Sequence, residues 1–288
     1  MSEKVKLFVG TRKGGFIFSS DLDRRQWQSS EICFPSWYMM HMRLDPRDQR
    51  LHTAVSHFVY GPTTHYSDDF GASWTQARQV PAFERASRHL RPYGSPEEYF
   101  RAEKGEPVDR SGKEDVTKVW NITPAGAAEP GKLYAGVEPG ALFVSTDRGE
   151  TWQLNEPLFD HPQRPDWGPG AGGLCLHTIL PDPHNPQRLW VGISAGGCYR
   201  TDDGGQTWRP VNKNVRADYN PDPNPEFGHC VHKIALHPDI PGRLYQQNHC
   251  GVYRSDDGGE NWIDIGEGRL PSRFGFPVAV HPHDPNKR

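Results

Sequence analysis

One eight-residue pattern, Ser/Thr-x-Asp-x-Gly-x-x-Trp, occurs four times in this 288-residue chain and limits its fold more than any other feature. The copies are SDDFGASW (Ser67, Asp69, Gly71, Trp74), STDRGETW (Ser145, Asp147, Gly149, Trp152), TDDGGQTW (Thr201, Asp203, Gly205, Trp208) and SDDGGENW (Ser255, Asp257, Gly259, Trp262). A fifth, degenerate copy keeps only Ser20 and Trp27 at the same spacing. Each reads as a tight hairpin. Asp and Ser bond nearby backbone groups, Gly takes a positive-φ position, and Trp opens the return strand and covers the turn.

The surroundings of the motif repeat as well. A short aromatic strand precedes the degenerate copy (FIF) and three of the four full copies (LFVS, CYRT and VYRS). Further upstream a Pro-rich turn, a basic residue and a Leu open another strand, in DPRDQRLHTAV, AEPGKLYAGV, DPHNPQRLWVGI and HPDIPGRLYQQN. One more apolar run precedes each of these: MHMRL, VWNIT, LHTIL and VHKIAL. The unit is therefore four short strands, A to D, with the Asp motif at the C–D turn. Successive motif Trp residues are 47, 78, 56 and 54 positions apart, a period that predicts an all-β fold, a β-propeller of four-stranded antiparallel blades. Composition agrees: 34% hydrophobic residues with 30 Gly, 27 Pro and 9 Trp leave little room for long amphipathic helices. The long interval holds a polar insertion, about residues 79–117, in which SPEEYFRAEKG predicts one short helix capped by Ser95 with Pro96 at its first position.

The four motif copies resemble Asp-box, or BNR, repeats, which occur in sialidases, sortilin-type receptors, photosystem assembly factors and bacterial proteins of glycosyl-hydrolase-like type. The resemblance covers nearly the whole chain and implies a propeller whose Asp boxes lie on the face opposite the usual binding site. It does not imply sialidase chemistry. The Phe/Tyr-Arg-Ile-Pro motif, the three arginines that grip sialate and the Tyr nucleophile have no counterpart here, since TRKGG near the start offers Arg12 only.

The chain is expected to form a single propeller domain of about five blades over residues 1–288. The first segment, KLFVGTRKGGFIFSSDLDRRQW, supplies strands B, C and D, and FGFPVAVHP near the end reads as a further strand A. A closed five-bladed ring is one reading. The reading taken is a truncated seven-bladed propeller, because HPHDPNKR matches the Pro-rich A–B turn and Arg288 falls on its basic residue, as Arg50, Lys132, Arg188 and Arg243 do earlier.

Function is expected on the face formed by B–C and D–A loops. Counting back twelve residues from the strand-B Leu gives Asn121, His177, His232 and Pro277, with His41 in the same slot after a shorter turn. These histidines either ring the channel mouth or bond backbone between blades. Cys175 and Cys230, two residues before His177 and His232, offer soft ligands, a weak metal signal on which no metal site is assigned. The ligand-binding candidates are Arg12, Lys13, His41, His57, His177, His232 and His249, with Asn248 and Cys250 beside the last. Glu138, Asp166, Asp218 and Glu226 are the carboxylates from which a glycosidase would draw its pair, near Trp167 and Arg216.

The expected ligand is a glycan, a small molecule or a protein, held by a binding module or, alternatively, hydrolysed as a glycoside. No cofactor is expected. A net charge of −3, from 33 basic and 36 acidic residues, excludes the strongly positive field that nucleic acid or an anionic membrane requires. Five cysteines without CxxC spacing and an N-terminus that runs straight into a strand point to reduced thiols and a cytoplasmic location.

Overall fold

The structure is a computed structural model that describes residues 5–281 and 284. It contains five antiparallel sheets, each a simple meander in chain order. The first has three strands, β1 (Val5–Thr11), β2 (Gly14–Ser20) and β3 (Gln28–Ser29). The second has β4 (Tyr38–Leu44), β5 (Leu51–His57), β6 (Gly61–Ser67) and β7 (Thr75–Gln76), and the third β8 (Lys118–Pro124), β9 (Leu133–Glu138), β10 (Ala141–Ser145) and β11 (Gln153–Leu154). The fourth has β12 (Leu176–Asp182), β13 (Asn185–Ile193), β14 (Gly197–Thr201) and β15 (Arg209–Pro210), and the fifth β16 (Val231–Leu236), β17 (Leu244–Asn248), β18 (Gly251–Ser255) and β19 (Ile263–Asp264). This is the predicted A-to-D order, with no strand A in the first sheet among the described residues. The strand expected at FGFPVAVHP does not form: residues 274–281 pair with no strand among the described residues. Arg288 and most of the turn expected around it lie outside those residues.

The core lies in the seams between successive sheets. Met39, Leu51 and Val55 pack against Ile17 of the first sheet, and Val119, Ile122 and Phe143 against Ala54 of the second. Leu176, Ile179 and Val191 meet Tyr134 and Leu142 in the next seam, and Ile234, Leu244 and Tyr253 meet Trp190 in the last. Two glycines make the close approach possible. A Cβ on Gly10 would stand 2.7 Å from the carbonyl oxygen of Met39, and one on Gly136 would stand 2.2 Å from that of Leu176. Only glycine lets the neighbouring A strand pass there.

The Asp boxes lock the C–D turns, and in the fourth and fifth sheets the box Trp also pins the sheet to the one before it. In the second sheet the Ser67 hydroxyl donates to Asp69 Oδ1 (2.7 Å) and accepts from the Gly71 amide (2.7 Å), while Asp69 accepts from the amide and hydroxyl of Ser73 at 2.9 and 2.6 Å. The other three boxes repeat this pattern with Thr151, Thr207 and Asn261 in the place of Ser73. The four glycines have φ between 84 and 93°, a region closed to most side chains. Bonds from the Ser73 hydroxyl and amide hold Asp69 down to about 2, and those from Thr207 do the same for Asp203. Trp208 donates to Asn155 Oδ1 (2.9 Å) and Trp262 to the Val211 carbonyl (2.8 Å), both in the preceding repeat. The degenerate copy lacks this pin, since Trp27 is 40% exposed and bonds only the nearby Arg24 carbonyl.

The insertion folds over the D–A side of the third sheet. Helix α1 (Pro96–Glu103) forms as predicted, with the Ser95 side chain accepting from the Glu98 amide and Pro96 at the first turn. A buried ion pair fastens the segment: Arg164 meets Glu114 at 2.8 Å and also donates to the Gly140 carbonyl. Phe83 stacks on Phe159 beneath it.

Candidate functional site

The A–B and C–D turns share one end of the sheets, as Arg148 of one Asp box bonding Asp48 of an A–B turn shows. The B–C and D–A loops therefore occupy the opposite end. What those loops present is decided by one recurrent irregularity. In each A strand the ladder skips a single residue: Met40, Trp120, His177 and His232. A bulge adds a residue to one strand and re-aims its side chain.

This register corrects the one counted from the strand-B Leu. Between the strand-B Leu and the strand-A residue paired with it lie six, eight, seven and seven residues, so a fixed count slips by one in the second and third sheets. His41 and Asn121 belong to the slot that holds Thr178 and Lys233, whereas His177 and His232 occupy the bulge with Met40 and Trp120. Pro277 lies beyond the last strand and has no place in the series.

The histidines divide accordingly. His41 accepts from the Ile122 amide (3.2 Å), and burial lowers it to about 4. His177 bonds the Val231 carbonyl (3.0 Å) and Thr178, and burial likewise lowers it to about 4. Both are neutral and engaged in bonds to the next sheet's backbone. His232 instead stands half-buried near the exposed His249 (ring centroids 5.7 Å apart), beside Cys230 and the rings of Phe274 and Phe276. Cys175 is buried behind Glu138, and burial pushes its thiol up to about 12.

Two further groups occupy this end of the sheets. Glu138, at the last position of β9, accepts from Lys118 Nζ at 2.9 Å on both carboxylate oxygens and from Trp120 Nε1 at 2.8 Å. The Gly173 backbone leans against it, where a Cβ would come within 2.9 Å of its carboxyl. On the second sheet Trp37, His57 and Tyr60 form an aromatic platform. Trp37 and Tyr60 lie nearly parallel (17°) at 6.0 Å, and His57 sits 4.9 and 5.0 Å from them. Phe58 and Tyr60 are 94% and 72% exposed at the loop tip. Arg12, beside the exposed Lys13, lies over the Tyr38 ring at the next loop.

Two of the remaining three carboxylates engage partners of their own. Asp166 is exposed in a single 3-10 turn (Arg164–Asp166), Asp218 pairs with Arg216 at 2.8 Å, and Glu226 accepts from Gln163 at 2.8 Å. Trp167 is fully buried and bonds Tyr199. Asn248 and Cys250 are buried in the fifth sheet's B–C turn. Sequence reasoning missed Lys118, Trp120, Trp37 and Tyr60. The signal available was aromatic residues one step before strand A and in the B–C loop, which could not be told from core residues without the bulge.

The BNR/Asp-box repeat profile matches residues 143–154 and 199–210. A xyloglucanase from Paenibacillus sp is 31% identical over 158 residues, which is 50% of this chain and 14% of that protein. An oligoxyloglucan-reducing end-specific xyloglucanase from Emericella nidulans is 28% identical over 134 residues, 45% of this chain and 15% of that protein. The chain thus spans about a seventh of the curated relatives it matches. The crystal structure of a GH74 xyloglucanase from Xanthomonas campestris superposes with a TM-score of 0.51 at 16% identity, covering 91% of this chain and 44% of that one. Five antiparallel meander sheets, BNR/Asp-box repeats and this superposition identify the fold as a β-propeller.

Proposed function

We propose that this BNR/Asp-box repeat propeller binds a β-glucan of the xyloglucan class across the face opposite its Asp boxes. The aromatic platform of Trp37, His57 and Tyr60 is the observation that carries the reading. The exposed Tyr60 ring, backed by the half-buried Trp37 and His57 and beside the exposed Phe58, offers stacking surface to the CH faces of sugar rings, and an exposed aromatic group of this kind marks a binding site. Glu138, Lys118 and Trp120 supply oriented polar groups for sugar hydroxyls at the same end of the sheets, the usual division between apolar area and a few fixed polar contacts. The xyloglucan class follows from the two curated relatives, each a xyloglucan-degrading enzyme by name.

Titration calorimetry with xyloglucan oligosaccharides tests this. Tyr60→Ala, at an exposed loop tip, is expected to weaken binding about five- to twelvefold, the loss of one good stacking contact of about 1–1.5 kcal/mol, with the melting temperature unchanged. Equal affinity in wild type and variant, or no binding by the wild type, would overturn it.

Hydrolysis is the second reading, favoured by the position of the Glu138 carboxylate between a cation and an indole N–H at the rim. Glycosidases need two carboxylates about the scissile bond, and Asp166, Asp218 and Glu226 are the candidates for the second. Release of reducing ends by wild type and its loss in Glu138→Gln, with binding kept, would establish this reading.

A further inference from the structure

Cys230, His232 and His249 bring one sulfur and two imidazole nitrogens to a single point, with all three ligand atoms within 4.8 Å of one another. We propose that these residues form a binding site for a borderline transition-metal ion, Zn2+ foremost, leaving one coordination position open. The inference is independent of the glycan reading.

Four observations converge on it. Cys230 Sγ and His232 Nε2 are 3.4 Å apart. Two ligands sharing a tetrahedral zinc at about 2.3 Å (S) and 2.0–2.1 Å (N) would be about 3.5 Å apart, so this pair already has the required spacing. The His232 ring is oriented from behind, since Nδ1 bonds the Gly275 carbonyl at 2.5 Å and Nε2 is left to present its lone pair to the sulfur side. A backbone acceptor on the far nitrogen is the arrangement that fixes the tautomer of metal-ligating histidines.

The third ligand is held in place by backbone. The His249 amide donates to the Cys230 carbonyl (3.0 Å), which sets the B–C turn against the start of strand A. The His249 ring forms no hydrogen bond among the described residues, and it is exposed, so it is able to close on a metal. Finally, Phe274 and Phe276 pack against the two imidazoles at 4.7–5.2 Å and form an apolar wall around them.

The bulge in β16 is what produces this geometry, because it swings His232 toward the mouth while Cys230 stays at the strand entrance. The other sheets do not repeat the set. The equivalent bulge histidine, His177, spends both ring nitrogens on protein partners. Binding is a simple exchange: Zn2+ takes the thiolate of Cys230 and the neutral imidazoles of His232 and His249, and the thiol proton is released to solvent. Three protein ligands leave a fourth position for water or another small ligand.

The test uses the full chain, stripped with a chelator and titrated with Co2+ and Zn2+. One equivalent of Co2+ is expected to give a thiolate-to-metal charge-transfer band in the near ultraviolet together with visible bands of tetrahedral intensity. Excess Zn2+ should abolish both. Cys230→Ser should remove the charge-transfer band. His249→Gln, on an exposed turn where folding is not at stake, should weaken Zn2+ more than about 100-fold, since even outer-shell changes cost about 10–100-fold. Absence of a charge-transfer band at one equivalent, or retention of both band and affinity in Cys230→Ser and His249→Gln, would overturn the proposal, because binding would then lie at other histidines of the chain.

Discussion

Replacing the box tryptophan in two repeats of the same motif should give opposite results. Trp262 is 2% exposed, packs among Trp190, Val211, Val231, Leu244 and Tyr253, and donates to the Val211 carbonyl of the preceding repeat at 2.8 Å. Truncation to Ala opens a large cavity, at about 3–5 kcal/mol for a buried aromatic residue, and strands a carbonyl that loses about 1–3 kcal/mol more if water cannot reach it. At about 2 °C per kcal/mol for a chain of this size, Trp262→Ala should lower the melting temperature by roughly 6–16 °C, the upper part of the range applying if water cannot reach the carbonyl. Trp27 stands at the same motif position but is 40% exposed, with its one bond to the local Arg24 carbonyl. Trp27→Ala should stay within about 0.5 kcal/mol of wild type, or roughly 1 °C. Thermal unfolding followed by far-ultraviolet circular dichroism, which does not depend on the lost fluorophore, gives both values. Equal shifts would show that the motif acts within its own turn and that the pin between sheets contributes nothing.

Other consequences follow from particular contacts. Asp69 and Asp203 lie at about 2 when folded, below the ordinary aspartate range near 4. Their contribution to stability is therefore complete above about pH 4 and lost as pH falls toward 2. Asp203→Asn should lower stability at pH 7 and make the acid limb of a pH–stability curve shallower. Glu114→Ala would leave Arg164, whose side chain is 1% exposed, charged and unpaired, at a cost of about 3–5 kcal/mol; limited proteolysis should then cut within residues 84–113 first. Gly136→Ala would force a Cβ to 2.2 Å from the Leu176 carbonyl oxygen and should cost at least about 1–3 kcal/mol by denaturant titration.

Much of the fold was legible because the Asp box is local. Ser, Asp, Gly and Trp at fixed spacing specify a turn whose hydrogen bonds run within eight residues, and strands C and D follow from it. Helix α1 was legible for the same reason, through Ser95 and Pro96. The site was less so. Which side chain of strand A faces the mouth depends on the bulge at Met40, Trp120, His177 and His232, and the bulge is set by pairing with strand B across turns of unequal length. Counting in sequence does not register it, and a fixed count therefore groups His41 with histidines of another slot. The convergence of His249 on Cys230 and His232 was hidden likewise, because a backbone bond between the B–C turn and the start of strand A creates it. The strand expected at FGFPVAVHP has the right composition, yet apolar alternation forms a strand only where a partner ladder is present.

Hydrogen–deuterium exchange of the chain with and without a xyloglucan oligosaccharide distinguishes binding at the loop face from binding at the Asp-box face, because it reports on both at once. Slowed exchange is expected in residues 57–61, 117–121 and 138–142, with the Asp-box turns at 67–74 and 145–152 unchanged. Protection confined to the Asp-box turns, or none anywhere at saturating oligosaccharide, would contradict it.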